Sequence, residues 1–108
     1  MFRVFALSLL FLMPVAVSAE EIQEIKINIK DHKFDPSEIT IPANKKVKLI
    51  VKNNDSTAEE FESHELKREK VIAGGKEAKI FIGPLDKGEY PFFGDFNPKT
   101  AQGKIIVK

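Results

Sequence analysis

The chain contains no cysteine. That absence excludes disulfide staples, thiolate metal ligands and cysteine nucleophiles together. Only two histidines occur in 108 residues, too few for a histidine-rich metal centre. The nucleophile elbow G-x-S-x-G, the phosphate-binding P-loop and the zinc motif H-E-x-x-H are also missing. Gly74-Gly75 reads as a hairpin turn and not as a phosphate cradle, because no helix start follows it. There is no internal repeat, low-complexity tract or interdomain linker. Helical periodicity of useful length is absent as well, except over Glu62–Lys70, where Glu62, Glu65 and Glu69 could line one side of a helix.

The one long apolar run is Phe5 to Val17, preceded by Arg3 and followed by the small residues of Val17-Ser18-Ala19. It is too short for a stable span and has the flanks of a secretory signal. We therefore expect residues 1–19 to be a cleaved signal peptide and residues 20–108 to be one small exported domain, periplasmic or secreted. No cysteine follows the cleavage point, which rules out the usual lipoprotein anchor. Removing residues 1–19 takes Arg3 with it and leaves sixteen basic against sixteen acidic side chains. A chain so balanced gives no reason to expect nucleic acid or an anionic membrane as partner. Its many lysines are spread over several segments and read as solvated faces.

What remains is strand chemistry. Ile25, Ile27 and Ile29 alternate with Lys26, Asn28 and Lys30, the period of a half-buried strand. Asp31 to Pro36 is a turn in which Phe34 plugs the core, and Pro36 bars a central ladder position. Ile39 and Ile41 form a short strand. Val47, Leu49 and Val51 point inward from the next. Asn53 to Thr57 is a loop, and an acid-rich segment, Glu59–Glu65, follows it. Ala78, Ile80 and Ile82 alternate again. The segment Gly88–Lys108 reads as a strand with Tyr90, Phe92 and Phe93, a loop from Gly94 to Gln102, and a last strand bearing Ile105 and Val107. About seven short strands at this spacing predict an all-β sandwich.

The order D-x-x-F-x-P, I-x-I-P-A, V-x-L-x-V-x-N-N, E-F-E-S, G-P-L-x-x-G-x-Y-x-F-F and G-K-I-x-V resembles the cupredoxin-like domains over Ile25–Lys108. It looks most like the periplasmic subgroup related to the cupredoxin domain of the iron-uptake protein EfeO. The resemblance implies a Greek-key β-sandwich with a metal site at one end. Blue-copper members carry a histidine after the N-N loop, and a cysteine after the Y-x-F-F strand. A second histidine and a methionine precede the last strand. The resemblance sets Glu59 at the first histidine, Gly94 at the cysteine, Lys99 near the second histidine, and Ala101 or Gln102 near the methionine. All four ligands are replaced. A blue-copper site depends on a soft thiolate, so a blue-copper electron carrier is excluded.

The segment Glu59–Glu69 holds the strongest remaining cluster. If it is extended, Glu60, Glu62 and His64 share one face and Phe61 turns to the core. Two carboxylates and an imidazole suit iron or Cu(II) better than Cu(I). The candidate metal ligands are Glu60, Glu62, His64, Glu65 and Asp95, the last from the Gly94–Gln102 loop. The competing reading is a solvated acidic edge, since charges on edge strands deter aggregation. His32 reads as a loop residue. Gly94 is expected to permit a backbone conformation or a close approach that a side chain would block. With the resemblance, these residues suggest a metal-binding protein, for iron or copper, that assists ferrous-iron uptake by oxidising Fe(II), as a ferroxidase would, by handing the ion on, or by docking to a permease or another periplasmic iron-uptake protein; the ligand set holds no complete copper site for such oxidation. A metal-free β-sandwich module that docks to such a partner would have the same sequence framework. No nucleophile–base pair supports an enzyme.

Overall fold

The computed structural model describes residues 21–108, so the expected signal peptide lies outside the described residues. Among the described residues nine strands form: β1 (Gln23–Lys30), β2 (Lys33–Asp35), β3 (Glu38–Ile41), β4 (Val47–Asn53), β5 (Glu59–Ser63), β6 (Arg68–Ile72), β7 (Glu77–Ile82), β8 (Gly88–Gly94) and β9 (Gln102–Val107). They make two sheets, a four-stranded one in the order β2-β1-β4-β7 and a five-stranded one in the order β3-β9-β8-β5-β6. β1 with β4 and β3 with β9 are parallel pairs; the others are antiparallel. The fold class is therefore the all-β sandwich that the strand periods predict.

Alternation places the core. Ile27 and Ile29 of β1, Val47, Leu49 and Val51 of β4, and Ile80 and Ile82 of β7 are buried on the inner face of one sheet. Phe61, Phe92, Ile105 and Val107 are buried on the inner face of the other. Phe34, Phe61 and Phe92 clasp the two sheets together. Phe34 meets Phe92 edge-on with ring centroids 4.9 Å apart, and Phe61 stacks on Phe92 at 5.0 Å. Such pairs add to the area they bury.

Two strands exceed the expected seven. β2 is a short edge strand inside the segment read as a turn, and Pro36 follows it. β6 replaces the helical option over Glu62–Lys70. A turn at His64–Lys67 reverses the chain, with the Leu66 N–H donating to Ser63 Oγ at 3.1 Å and Lys67 at φ 55°. β6 then pairs with the whole of β5 from Ser63↔Arg68 to Glu59↔Ile72. A ladder along β5 outweighs the weak helical spacing of three glutamates. Gly74-Gly75 is also not a hairpin turn. It joins β6 in one sheet to β7 in the other, and a Cβ at Gly74 would collide with the Ser56 carbonyl.

Buried Asn53 fixes where β5 begins. Its Nδ2 donates to the Thr57 carbonyl at 2.8 Å and to the Ile72 carbonyl at 3.0 Å, and its Oδ1 accepts from the Asp55 N–H at 3.0 Å. Asp55 in turn accepts from the N–H groups of Asp31 and His32, whose φ angles of 53° and 58° make the β1–β2 turn. The His32 N–H, foremost, holds the Asp55 carboxyl below its ordinary range.

The aromatic clasp has a measurable consequence. Phe34→Ala removes the ring that reaches across from the smaller sheet and is expected to cost about 3–5 kcal/mol in urea unfolding. Phe96→Ala, at a side chain 49% exposed, is expected to change stability by less than about 0.5 kcal/mol.

Candidate metal centre

Strand β5 carries two sets of side chains that do different things. Glu59, Phe61 and Ser63 face inward and are almost fully buried, while Glu60 and Glu62 project from the outer face of the five-stranded sheet. Phe61 thus faces the core and Glu60 and Glu62 share a face, as the alternation predicts.

On the outer face, acids from β5, from β6 and from the residue after β8 come together. The β5–β6 register sets Glu62 opposite Glu69. Asp95 follows β8 directly, and its N–H donates to the Glu60 carbonyl at 2.9 Å. One carboxylate oxygen each from Glu60, Glu62 and Asp95 lies within 4.8 Å of the others. The ion pairs among the described residues involve other acids, so no lysine or arginine neutralises this set. Like charges facing across a ladder repel. Glu69 beside it, together with burial and the Asp95 and Glu62 charges, pushes the Glu60 carboxyl up to about 7. Three convergent carboxylates on one sheet face are hard oxygen donors, the kind that hold hard cations.

The structure brings together Glu60, Glu62 and Asp95 from the predicted ligands, and leaves His64 and Glu65 outside that converging set. His64 is in the turn after β5, with its ring 5.6 Å from the Phe93 ring. Glu65 is exposed in the same turn. Both follow Ser63, where the strand and its strict alternation end. Glu69 joins the outer acids because β6 is a strand. His32 remains a loop residue, its Nδ1 3.6 Å from Asp55 Oδ2.

The inner face holds a second arrangement. Glu59 is 1% exposed, yet each of its carboxylate oxygens has a hydrogen-bond partner. Its Oε1 accepts from the Glu60 N–H at 3.0 Å and the Phe96 N–H at 2.9 Å, and its Oε2 accepts from Asn97 Nδ2 at 2.7 Å. All three partners donate, which suits an acceptor-only carboxylate. Gly94 gives it room: a Cβ there would be 2.6 Å from Glu59 Cδ and 2.7 Å from the Ala101 Cβ. Close approach, not an unusual dihedral angle, is what this glycine permits. Sequence reasoning took Glu59 and Gly94 as lost copper ligands and did not see that they fit each other. The loop residue whose side chain reaches Glu59 is Asn97, and Lys99, two residues on, is exposed.

A family model for the cupredoxin-like domain matches residues 3–107. An uncharacterized protein of Rickettsia prowazekii (strain Madrid E) is 50% identical over 88 residues, 82% of this chain and 70% of the relative. Among solved structures, the metal binding domain of the Cu(I) exporting P-type ATPase CopA of Streptococcus pneumoniae D39 matches with a TM-score of 0.73 at 19% identity. That match covers 82% of this chain and 88% of the other. Auracyanin A, a blue copper protein from Chloroflexus aurantiacus, matches with a TM-score of 0.69 at 16% identity, over 79% and 98% of the two chains. At such identities these structures share the fold alone.

Copper of the blue type does not fit this chain. It needs a thiolate, and the residue at the end of β8 is Gly94. The space beside that glycine is taken by the Glu59 carboxylate, whose three hydrogen bonds are satisfied within the protein. On its nine-stranded sandwich and the near-complete family match, the chain belongs to the cupredoxin-like domain family.

Proposed function

We propose that this protein is an exported, cupredoxin-like metal-binding protein that takes a transition-metal cation, iron before copper, through Glu60, Glu62 and Asp95. The observation that carries this reading is the convergence of those three carboxylates with no ion-paired lysine or arginine among the described residues. Oxygen-only donors favour hard ions and stabilise Fe(III) over Fe(II). Export rests on the apolar run of residues 1–19. A place beside a permease or another periplasmic iron-uptake protein rests on the resemblance of the Glu60-Phe61-Glu62-Ser63 framework to the iron-uptake subgroup. The role proposed is binding and hand-over, with no turnover assigned.

Calorimetric titration of the purified protein with Fe(II) under anaerobic conditions, and with Cu(II), tests it. One ion per chain is expected, bound more weakly by about tenfold or more, roughly 1.4 kcal/mol, in Glu62→Gln and in Asp95→Asn. His64→Ala and Glu65→Gln are expected to bind as the parent does. Absence of binding at micromolar metal would replace this reading with the metal-free docking module.

The raised Glu60 carboxyl predicts the pH dependence of the metal-free protein. Between its ordinary 4.5 and about 7, the folded state holds a proton that the unfolded chain has released. Stability therefore falls as pH rises through this window and levels off above about 7. Asp55, whose carboxyl is depressed, acts below its ordinary 3.8 and so outside the window. Urea midpoints measured with chelator present, from about pH 5 to about pH 8, should show this decline, and Glu60→Gln should flatten it. Metal affinity should change in the opposite sense and rise through the same window, because proton and cation compete for one carboxylate.

A further inference from the structure

We propose that the Glu59 carboxylate is a built-in substitute for a metal ion: it organises the loop after β8 from within the chain and closes that position to copper. A loop between β8 and β9 needs partners for its backbone groups, and a central ion with ligands from several segments is one way to gather them. Here a single anion does so. Glu59 Oε1 accepts from its own strand through the Glu60 N–H and from the loop through the Phe96 N–H, at 3.0 Å and 2.9 Å. Oε2 accepts from Asn97 Nδ2 at 2.7 Å, and the Asn97 carbonyl then accepts from the Ala101 N–H at 2.9 Å. The Ala101 carbonyl accepts from the Gly94 N–H at 2.8 Å and closes the ring of contacts.

The fit is also one of volume. Gly94 and Ala101 are the small residues beside the carboxylate, and a methyl group at Gly94 would meet Glu59 Cδ and Oε1 at 2.6 and 2.8 Å. A long acidic side chain on one strand thus matches a missing side chain on its neighbour. No buried side-chain polar atom among the described residues lacks a partner, so the buried acid is satisfied without an ion. The carboxylate fills the space beside Gly94, and its oxygens are already engaged by three donors of the protein.

An exchange of donor and acceptor tests the role. Asn97→Asp sets a second carboxylate against Glu59 Oε2. It should lower hydrogen-exchange protection of the Gly94, Phe96 and Ala101 amides about tenfold or more at neutral pH. The double variant Glu59→Gln with Asn97→Asp restores one donor facing one acceptor and keeps Oε1 free to accept both N–H groups, so protection should return. Gly94→Ala aims a methyl group at the carboxylate and should also reduce protection. A side chain that merely fills space would show no such rescue. The proposal fails if Asn97→Asp leaves protection unchanged or if the double variant is no better protected than Asn97→Asp alone. Copper supplies a second arm, run on a protein whose outer acids are neutralised by Glu60→Gln, Glu62→Gln and Asp95→Asn. Added Cu(I) or Cu(II) should leave the Gly94–Ala101 amide resonances in place. One-to-one shifts of those resonances, abolished by Glu59→Gln, would overturn the closure to copper.

Discussion

A carboxylate stripped of water costs several kcal/mol unless donors replace the solvent, and that requirement governs the end of the sandwich from which β8 leaves. Glu59 meets it with two backbone N–H groups and one side-chain amide. The Glu60 N–H comes from its own strand, while Phe96 and Asn97 come from a loop distant in sequence. Satisfying one buried anion therefore docks the β8–β9 loop onto β5. Asp95 stands immediately before Phe96, and its own N–H reaches the Glu60 carbonyl. The placement of Asp95 on the outer face follows from how its neighbour is held on the inner face.

Adjacent residues of β5 consequently serve opposite electrostatic situations. Glu59 is an acid whose carboxylate accepts from three donors. Glu60, one residue on, has Glu69, Asp95 and Glu62 for neighbours, and its proton is retained to about 7. The pleat separates the two, because successive side chains leave a strand in opposite directions. The sheet ladder holds the outer acids together against their repulsion: the pairing of Glu62 with Glu69 is imposed by the β5–β6 register, which the inward Phe61 and Ile72 stabilise. Unrelieved repulsion of this kind is what a cation would neutralise.

The same scaffold supports different chemistry elsewhere. A Cu(I)-bound transporter domain and a blue copper protein share this chain's sandwich at under 20% identity. Fold does not carry function; the side chains at a few positions do. At the end of β8 this protein has Gly94 with the Glu59 carboxylate packed beside it, and the oxygen donors that converge do so on the outer face of the sheet.

Period-two alternation made most of the fold legible before any coordinates. Of the expected inward sets, Val47, Leu49 and Val51 and Ala78, Ile80 and Ile82 are all buried, as are Ile27 and Ile29, while Ile25 near the start of β1 is half-buried. The shared face of Glu60 and Glu62 came from the same rule. Where alternation stops, the reading stopped with it: His64 and Glu65 lie in a four-residue turn whose shape depends on Ser63 Oγ and a buried Leu66. The strand nature of β6 was hidden because its residues gain a ladder only from β5. Amino-acid order alone determined that there is no thiolate, that the chain alternates as a sandwich must, and that acids crowd the segment after Asn53-Asn54. Tertiary structure decided which of those acids meet, and that Glu59 faces inward into the room left by Gly94. Contacts between residues more than thirty positions apart are set by sheet order and register, which no local pattern encodes.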